Sequence, residues 1–84
     1  MKAITVRYFA SIREALGTGG ESLQTSAATV AELRDELIAR GGAHAEALAH
    51  GKAVRMALNQ IMVRESAELP DKAELAFFPP VTGG

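Results

Sequence analysis

Apolar and polar residues alternate along A-I-T-V-R-Y-F, Ala3 to Phe9, and β-branched and aromatic types are prominent. This predicts a strand with Ile4, Val6 and Tyr8 on one face. Ser11-Ile12-Arg13-Glu14 has the spacing of a capping box, in which the serine oxygen satisfies one free amide and the glutamate returns to the serine amide. With Gly17 as a stop, it predicts a short helix. Thr18-Gly19-Gly20 reads as a turn and Glu21 to Thr25 as a weaker strand closing a hairpin with the first. Thr29-Val30-Ala31-Glu32 repeats the capping-box spacing. Val30, Leu33, Leu37 and Ile38 then follow at helical intervals up to Gly41-Gly42, which predicts the main helix.

Beyond it, the alanine-rich stretch His44 to Ala49 predicts another short helix. Val54 to Leu58 and Ile61 to Val63 have strand composition on either side of a turn at Asn59-Gln60. Leu69-Pro70-Asp71-Lys72 reads as a turn. Glu74 to Phe78 reads as a last strand, stopped by Pro79-Pro80 because proline cannot donate to a ladder. This order suits an α+β fold in which one mixed sheet wraps a main helix flanked by short helices. A β-grasp arrangement is the simplest topology with short connections and a right-handed crossover, and a ferredoxin-like split βαβ is the alternative.

At 84 residues the chain has room for a single domain, spanning 1–84, with 79–84 expected to project as a tail. A composition of 48% hydrophobic and 23% charged residues supplies enough apolar material to collapse. The 9 Lys and Arg against 10 Asp and Glu leave a net charge of -1, so no broad basic footprint invites a nucleic-acid backbone. No segment has the length of a membrane span or the pattern of a signal peptide, and a cytoplasmic location is expected. The absence of cysteine removes disulfides, thiolate nucleophiles and cysteine-ligated metals, so sulfur chemistry would need another carrier.

His44 and His50 lie six apart, off the spacing of a helical metal pair, and no metal site is expected. Glu32, Asp35 and Glu36 crowd the first turns of the main helix, where they favour its positive end rather than forming a catalytic pair. Gly17 to Gly20 lacks the lysine and hydroxyl residue of a phosphate loop.

The sharpest signal is Phe77-Phe78-Pro79-Pro80-Val81-Thr82-Gly83-Gly84. Two prolines favour an extended segment, and two glycines, lacking Cβ, could follow a channel about as wide as a backbone and bring an α-carboxylate into a partner's active site. At an average glycine usage of about 7%, two in the final positions occur by chance in roughly one chain in 200, so chance explains them poorly. A carboxylate with a reference pKa near 3.3–3.7 is ionised at neutral pH and is a poor electrophile until activated, for which adenylation would supply a leaving group.

Alternation also leaves large apolar groups unassigned. With Ile4, Val6 and Tyr8 inward, Phe9 faces away. With Leu75 and Phe77 inward, Phe78 faces out, and with Ile61 and Val63 inward, Met62 faces out. Phe9, Met62 and Phe78 are therefore expected to form a docking patch beside the tail, with Arg13 as a candidate for pairing with an acidic partner surface.

The tail L-A-F-F-P-P-V-T-G-G, the opening V-R-Y-F-A-S-I-R-E-A-L-G, the segment T-V-A-E-L-R and the internal A-L-N-Q together resemble the molybdopterin-synthase small-subunit group of the MoaD/ThiS ubiquitin-like family. The resemblance spans nearly the whole chain. Terminal Gly-Gly is shared with ubiquitin and the thiamine sulfur carrier, whereas the F-F-P-P-V-T-G-G octet is more specific. The resemblance implies a β-grasp fold and a carrier with no cofactor of its own. An adenylating and sulfurating enzyme would use ATP to turn the Gly84 carboxylate into a thiocarboxylate. The large synthase subunit would admit the tail, Pro79 through Gly84, and pass the sulfur to a cyclic pyranopterin. The resemblance also implies a heterotetramer of two small and two large subunits. Arg13 and Lys52 match positions of the family's motifs. The competing readings are a thiamine-pathway carrier, a ubiquitin-like protein modifier and a plain β-grasp interaction module.

Overall fold

The structure, a computed structural model, describes residues 1–80. Strand β1, Lys2–Tyr8, pairs antiparallel with β2, Gly20–Thr25, and parallel with β5, Glu74–Phe78. On the other side of β5 lies β3, Arg55–Leu58, hairpinned to β4, Ile61–Val63, so the sheet order is β2-β1-β5-β3-β4. Helix α1, Ala10–Leu16, joins β1 to β2. Helices α2, Val30–Ile38, and α3, Gly42–Leu48, fill the crossover to β3. This is the β-grasp order of elements. The split βαβ alternative requires a second crossover helix between the later strands, and no described residue after Leu48 is helical.

Parity along the strands decides what the core contains. Ile4, Val6 and Tyr8 from β1 and Leu75 and Phe77 from β5 are buried on one face of the sheet. Val30, Leu33 and Leu37, three and four residues apart on α2, pack into the same cluster. Leu48 closes it from α3 and Leu69 from the loop before β5.

Local chemistry sets the ends of the elements. Thr29 caps α2, its Oγ1 accepting from the Glu32 amide at 3.2 Å. The hydroxyl also lies 3.3 Å from the Glu32 carboxylate, so the glutamate meets the threonine side chain rather than its backbone amide. Gly17 ends α1 in the left-handed region at φ 72°, its amide bonded to the Arg13 carbonyl at 2.9 Å. The β3–β4 turn places Asn59 and Gln60 at φ 50° and 71°, the twist of a tight two-residue hairpin.

The capping box expected at Ser11 does not form. Ala10 turns the chain at φ 51° and already belongs to α1, so Phe9 is the cap residue. The Phe9 carbonyl accepts from the amides of Ile12 and Arg13, which satisfies two first-turn donors from the backbone.

Candidate functional site

The second face of the sheet is the surface that alternation leaves uncovered by the core. The cross-strand rows place Arg7, Ala76, Ala57 and Met62 side by side on this face. The next row towards the end of β5 pairs Phe78 with Arg55. Ala57 and Ala76 form a low floor. Met62, 56% exposed, rises at one side, and Phe9, 43% exposed, and the half-buried Phe78 rise at the tail side. Strands about 4.8 Å apart put Met62 and Phe78 on either side of that alanine floor rather than in one tight cluster. The Phe9 amide donates to the Phe77 carbonyl at 3.1 Å, which holds Phe9 beside the root of the tail.

Ile61 departs from its expected inward burial and is 68% exposed. It shares a row with Leu58 and Leu75, but β4 is a three-residue edge strand with no strand beyond it, so inward parity there carries no cover. The two alanines of the floor and Arg7 and Arg55 beside it are the site residues that the sequence reading missed. The signal was present, since Ala57 and Ala76 alternate with the buried Met56, Leu75 and Phe77.

Arg7 and Arg55 stand exposed on this face, with Arg7 3.7 Å from Glu74. Arg13 lies over Gly19, where an added Cβ would sit 3.4 Å from its guanidinium carbon. It lines with Arg7 and Phe9 a groove of about 460 Å³ between β1 and β2. The apolar floor therefore carries a basic rim.

Beneath Phe9 and Phe78, a polar cluster braces the other side of the sheet. The Tyr8 hydroxyl donates to Glu21 at 2.9 Å, Arg40 reaches the same carboxylate at 2.6 Å, and His44 Nε2 lies 3.3 Å from it. Burial raises the Tyr8 pKa, and the hydrogen bond to Glu21 raises it further. Partial burial would raise the Glu21 carboxyl, but the hydrogen bonds from Arg40, Tyr8 and His44 outweigh it and hold the group below its ordinary value of 4.5.

Pro79 and Pro80 end β5 and are half-buried, so the root of the tail lies against the fold. Pro79 lines a cleft of about 140 Å³ with Ser11, Ile12, Ala15, Lys52 and Val54 among its walls. Val81, Thr82, Gly83 and Gly84 lie outside the described residues. Among the described residues, no group of three or more His, Asp or Glu is arranged to hold a metal, and no helix is long and apolar enough to cross a membrane.

Residues 6–84 match the ThiS family. The molybdopterin synthase sulfur carrier subunit of Escherichia coli (strain K12) is 42% identical over 81 residues, covering 96% of this chain and 99% of that protein. Among solved structures, SAMP1 from Haloferax volcanii, a small archaeal modifier protein, superposes with a TM-score of 0.76 at 25% identity, covering 98% of this chain and 99% of its own. Within a complex of subunits 1 and 2 of the molybdopterin-converting factor from Helicobacter pylori 26695, one chain superposes with a TM-score of 0.68. It is 25% identical, with 98% of this chain and 99% of that chain covered.

Proposed function

The chain belongs to the ThiS family, and from that premise we propose that it is the sulfur-carrier subunit of a molybdopterin synthase, with the Gly84 carboxylate as the reacting group. The observation that carries the reading is the F-F-P-P-V-T-G-G sequence, whose root at Phe78 and Pro79 leaves a sheet face with an apolar floor and a basic rim. The E. coli relative supports molybdopterin synthesis over the thiamine pathway.

The chemistry follows from the inertness of a carboxylate. A carboxylate oxygen of Gly84 attacks the α-phosphorus of ATP held by an activating enzyme, and pyrophosphate leaves. A sulfide equivalent from a donor then adds to the acyl carbon, and AMP leaves with the electron pair of the broken C–O bond. The product is a thiocarboxylate. Inside the large synthase subunit its sulfur bonds to a side-chain carbon of the cyclic pyranopterin as an oxygen group leaves that carbon with its electron pair. Water then cleaves the acyl–sulfur bond, which leaves the sulfur on the pyranopterin and restores the carboxylate. Two such deliveries build a dithiolene. Glycine at 83 and 84 lets the terminus pass through a narrow channel, and with no cysteine in the sequence the sulfur rides on the main-chain terminus alone.

Phe9, Phe78, Met62 and Arg13 are the partner-facing residues, and Pro79 through Thr82 carry the glycines into the partner. The chain itself holds no cofactor, ATP serves the activating enzyme, and the cycle runs in the cytoplasm. Neither nucleic acid nor membrane takes part in it. Adding one alanine after Gly84 tests the reading, because it replaces the reacting carboxylate and widens the end. Sulfur delivery to the pyranopterin should stop, and normal delivery by the extended chain contradicts the proposal.

A further inference from the structure

Arg34 sits on α2 and is only 3% exposed, the one charged side chain buried so deeply among the described residues. A guanidinium out of water is costly unless its donors are met, and here they are met almost entirely by one short loop. Its Nε donates to the Leu48 carbonyl at 2.8 Å and its Nη2 to the Ala49 carbonyl at 2.8 Å, with the Lys52 carbonyl at 3.5 Å. Nη1 pairs with the Glu65 carboxylate.

Two of these acceptors, the Leu48 and Ala49 carbonyls, lie where α3 ends, and the Lys52 carbonyl lies in the loop that follows. Ala49, the cap residue of α3, is not in the left-handed conformation that would let the backbone cover that helix end, so Arg34 does so from the neighbouring helix. The same loop folds back on itself through the Lys52 amide, bonded to the Ala49 carbonyl at 2.9 Å. It then continues as Lys52, Ala53 and Val54 along the cleft that Pro79 lines.

We infer that Arg34 is a positioning residue for the tail: its buried guanidinium holds the 49–54 loop as the wall beside which Pro79 leaves the sheet, and so sets where Lys52 meets the activating partner. The inference rests on the carrier reading above. Lys52 is exposed on that wall, and its compact cation fits an acidic group on a partner that surrounds the tail's root. Loosening the loop leaves the tail chemistry itself intact and adds an ordering cost to docking.

The test follows ATP-dependent pyrophosphate release by the activating enzyme with the full chain as substrate, well below the melting temperature. Lys52→Ala should raise KM about threefold to fivefold, the worth of an exposed charge pair, with kcat unchanged. Arg34→Lys and Glu65→Gln, milder than removing the guanidinium, should raise KM by a similar factor. Combined with Lys52→Ala, either change should add little, because both act through the same contact. A merely structural Arg34 lowers the melting temperature without moving KM, and that result, or independent multiplication of the two KM effects, overturns the inference. Loss of turnover by the unaltered chain with its activating enzyme overturns the carrier reading itself, and the positioning role with it.

Discussion

Tyr8 and Phe77 stack across the parallel β1–β5 rung with ring centroids 6.2 Å apart and an interplanar angle of 20°. The residues that follow them, Phe9 and Phe78, turn to the opposite face. One step of the backbone thus separates a fully buried aromatic pair from an outward one, and the core itself fixes where the outward rings stand. Phe9 is the cleaner probe because Phe78 is half-buried. Phe9→Asp should cost about 2 kcal/mol or more in affinity for the large subunit, roughly thirtyfold in Kd, if it is an aromatic anchor. Calorimetric titration measures the affinity, and a melting curve should show the fold retained. Unchanged affinity removes the docking face.

Burial of Tyr8, with its hydrogen bond to Glu21, and the hydrogen bonds from Arg40, Tyr8 and His44 to Glu21 make stability depend on pH at both ends. The folded pKa of Glu21 is depressed, so its contribution is present above 4.5 and is lost as pH falls below that value. The folded pKa of Tyr8 is raised, so its contribution is present below 10.0 and declines as pH climbs above it. Urea unfolding from pH 7 down to pH 3 should therefore be less steeply pH-dependent in Glu21→Gln than in the parent chain. Between pH 10 and 11, Tyr8→Phe should flatten the alkaline slope. Parallel slopes in variant and parent contradict the assignment.

Thr29→Ala removes the side-chain cap of α2, whose Oγ1 lies 3.2 Å from the Glu32 amide. The expected loss is about 1 kcal/mol. A thermal scan should register it as a fall of roughly 4–8 °C, the shift typical of a domain of this size.

Gly20→Ala tests the close approach of β2 to β1. An added Cβ would lie 2.6 Å from the Val6 carbonyl oxygen, a backbone atom that cannot swing away, so the strands must part. Overpacking of this kind costs about 1–3 kcal/mol, read as a lower urea midpoint at constant slope.

What could be read from the sequence follows the range over which each signal acts. Parity along β1, the threonine cap of α2, the left-handed Gly17 and the Asn59-Gln60 turn are decided within a few residues, and each is where the pattern puts it. Ser11 fails as a cap because Ala10 adopts a positive φ that side-chain spacing does not encode. Ile61 fails as a core residue because burial needs a covering neighbour, and an edge strand lacks one. Arg34 was illegible for the same reason: its acceptors come from α3, the following loop and Glu65, brought together only by the crossover. Of the site, Phe9 and Met62 are exposed as parity predicts, while Phe78 is half-covered and the alanine floor emerges only once β3 lies beside β5.

The central claim is that sulfur travels on the Gly84 carboxyl, and the lack of cysteine allows a direct test. Mass alone is ambiguous, because oxidation of the exposed Met1 or Met62 adds nearly what exchanging oxygen for sulfur adds. Protein co-expressed with its activating enzyme should therefore be treated with iodoacetamide and analysed intact and by fragmentation. The account predicts one alkyl group per chain, located on Gly84 and absent when Gly84 is deleted. A chain that takes up no alkyl group, or whose Gly84 is found joined to lysines of other proteins, contradicts it.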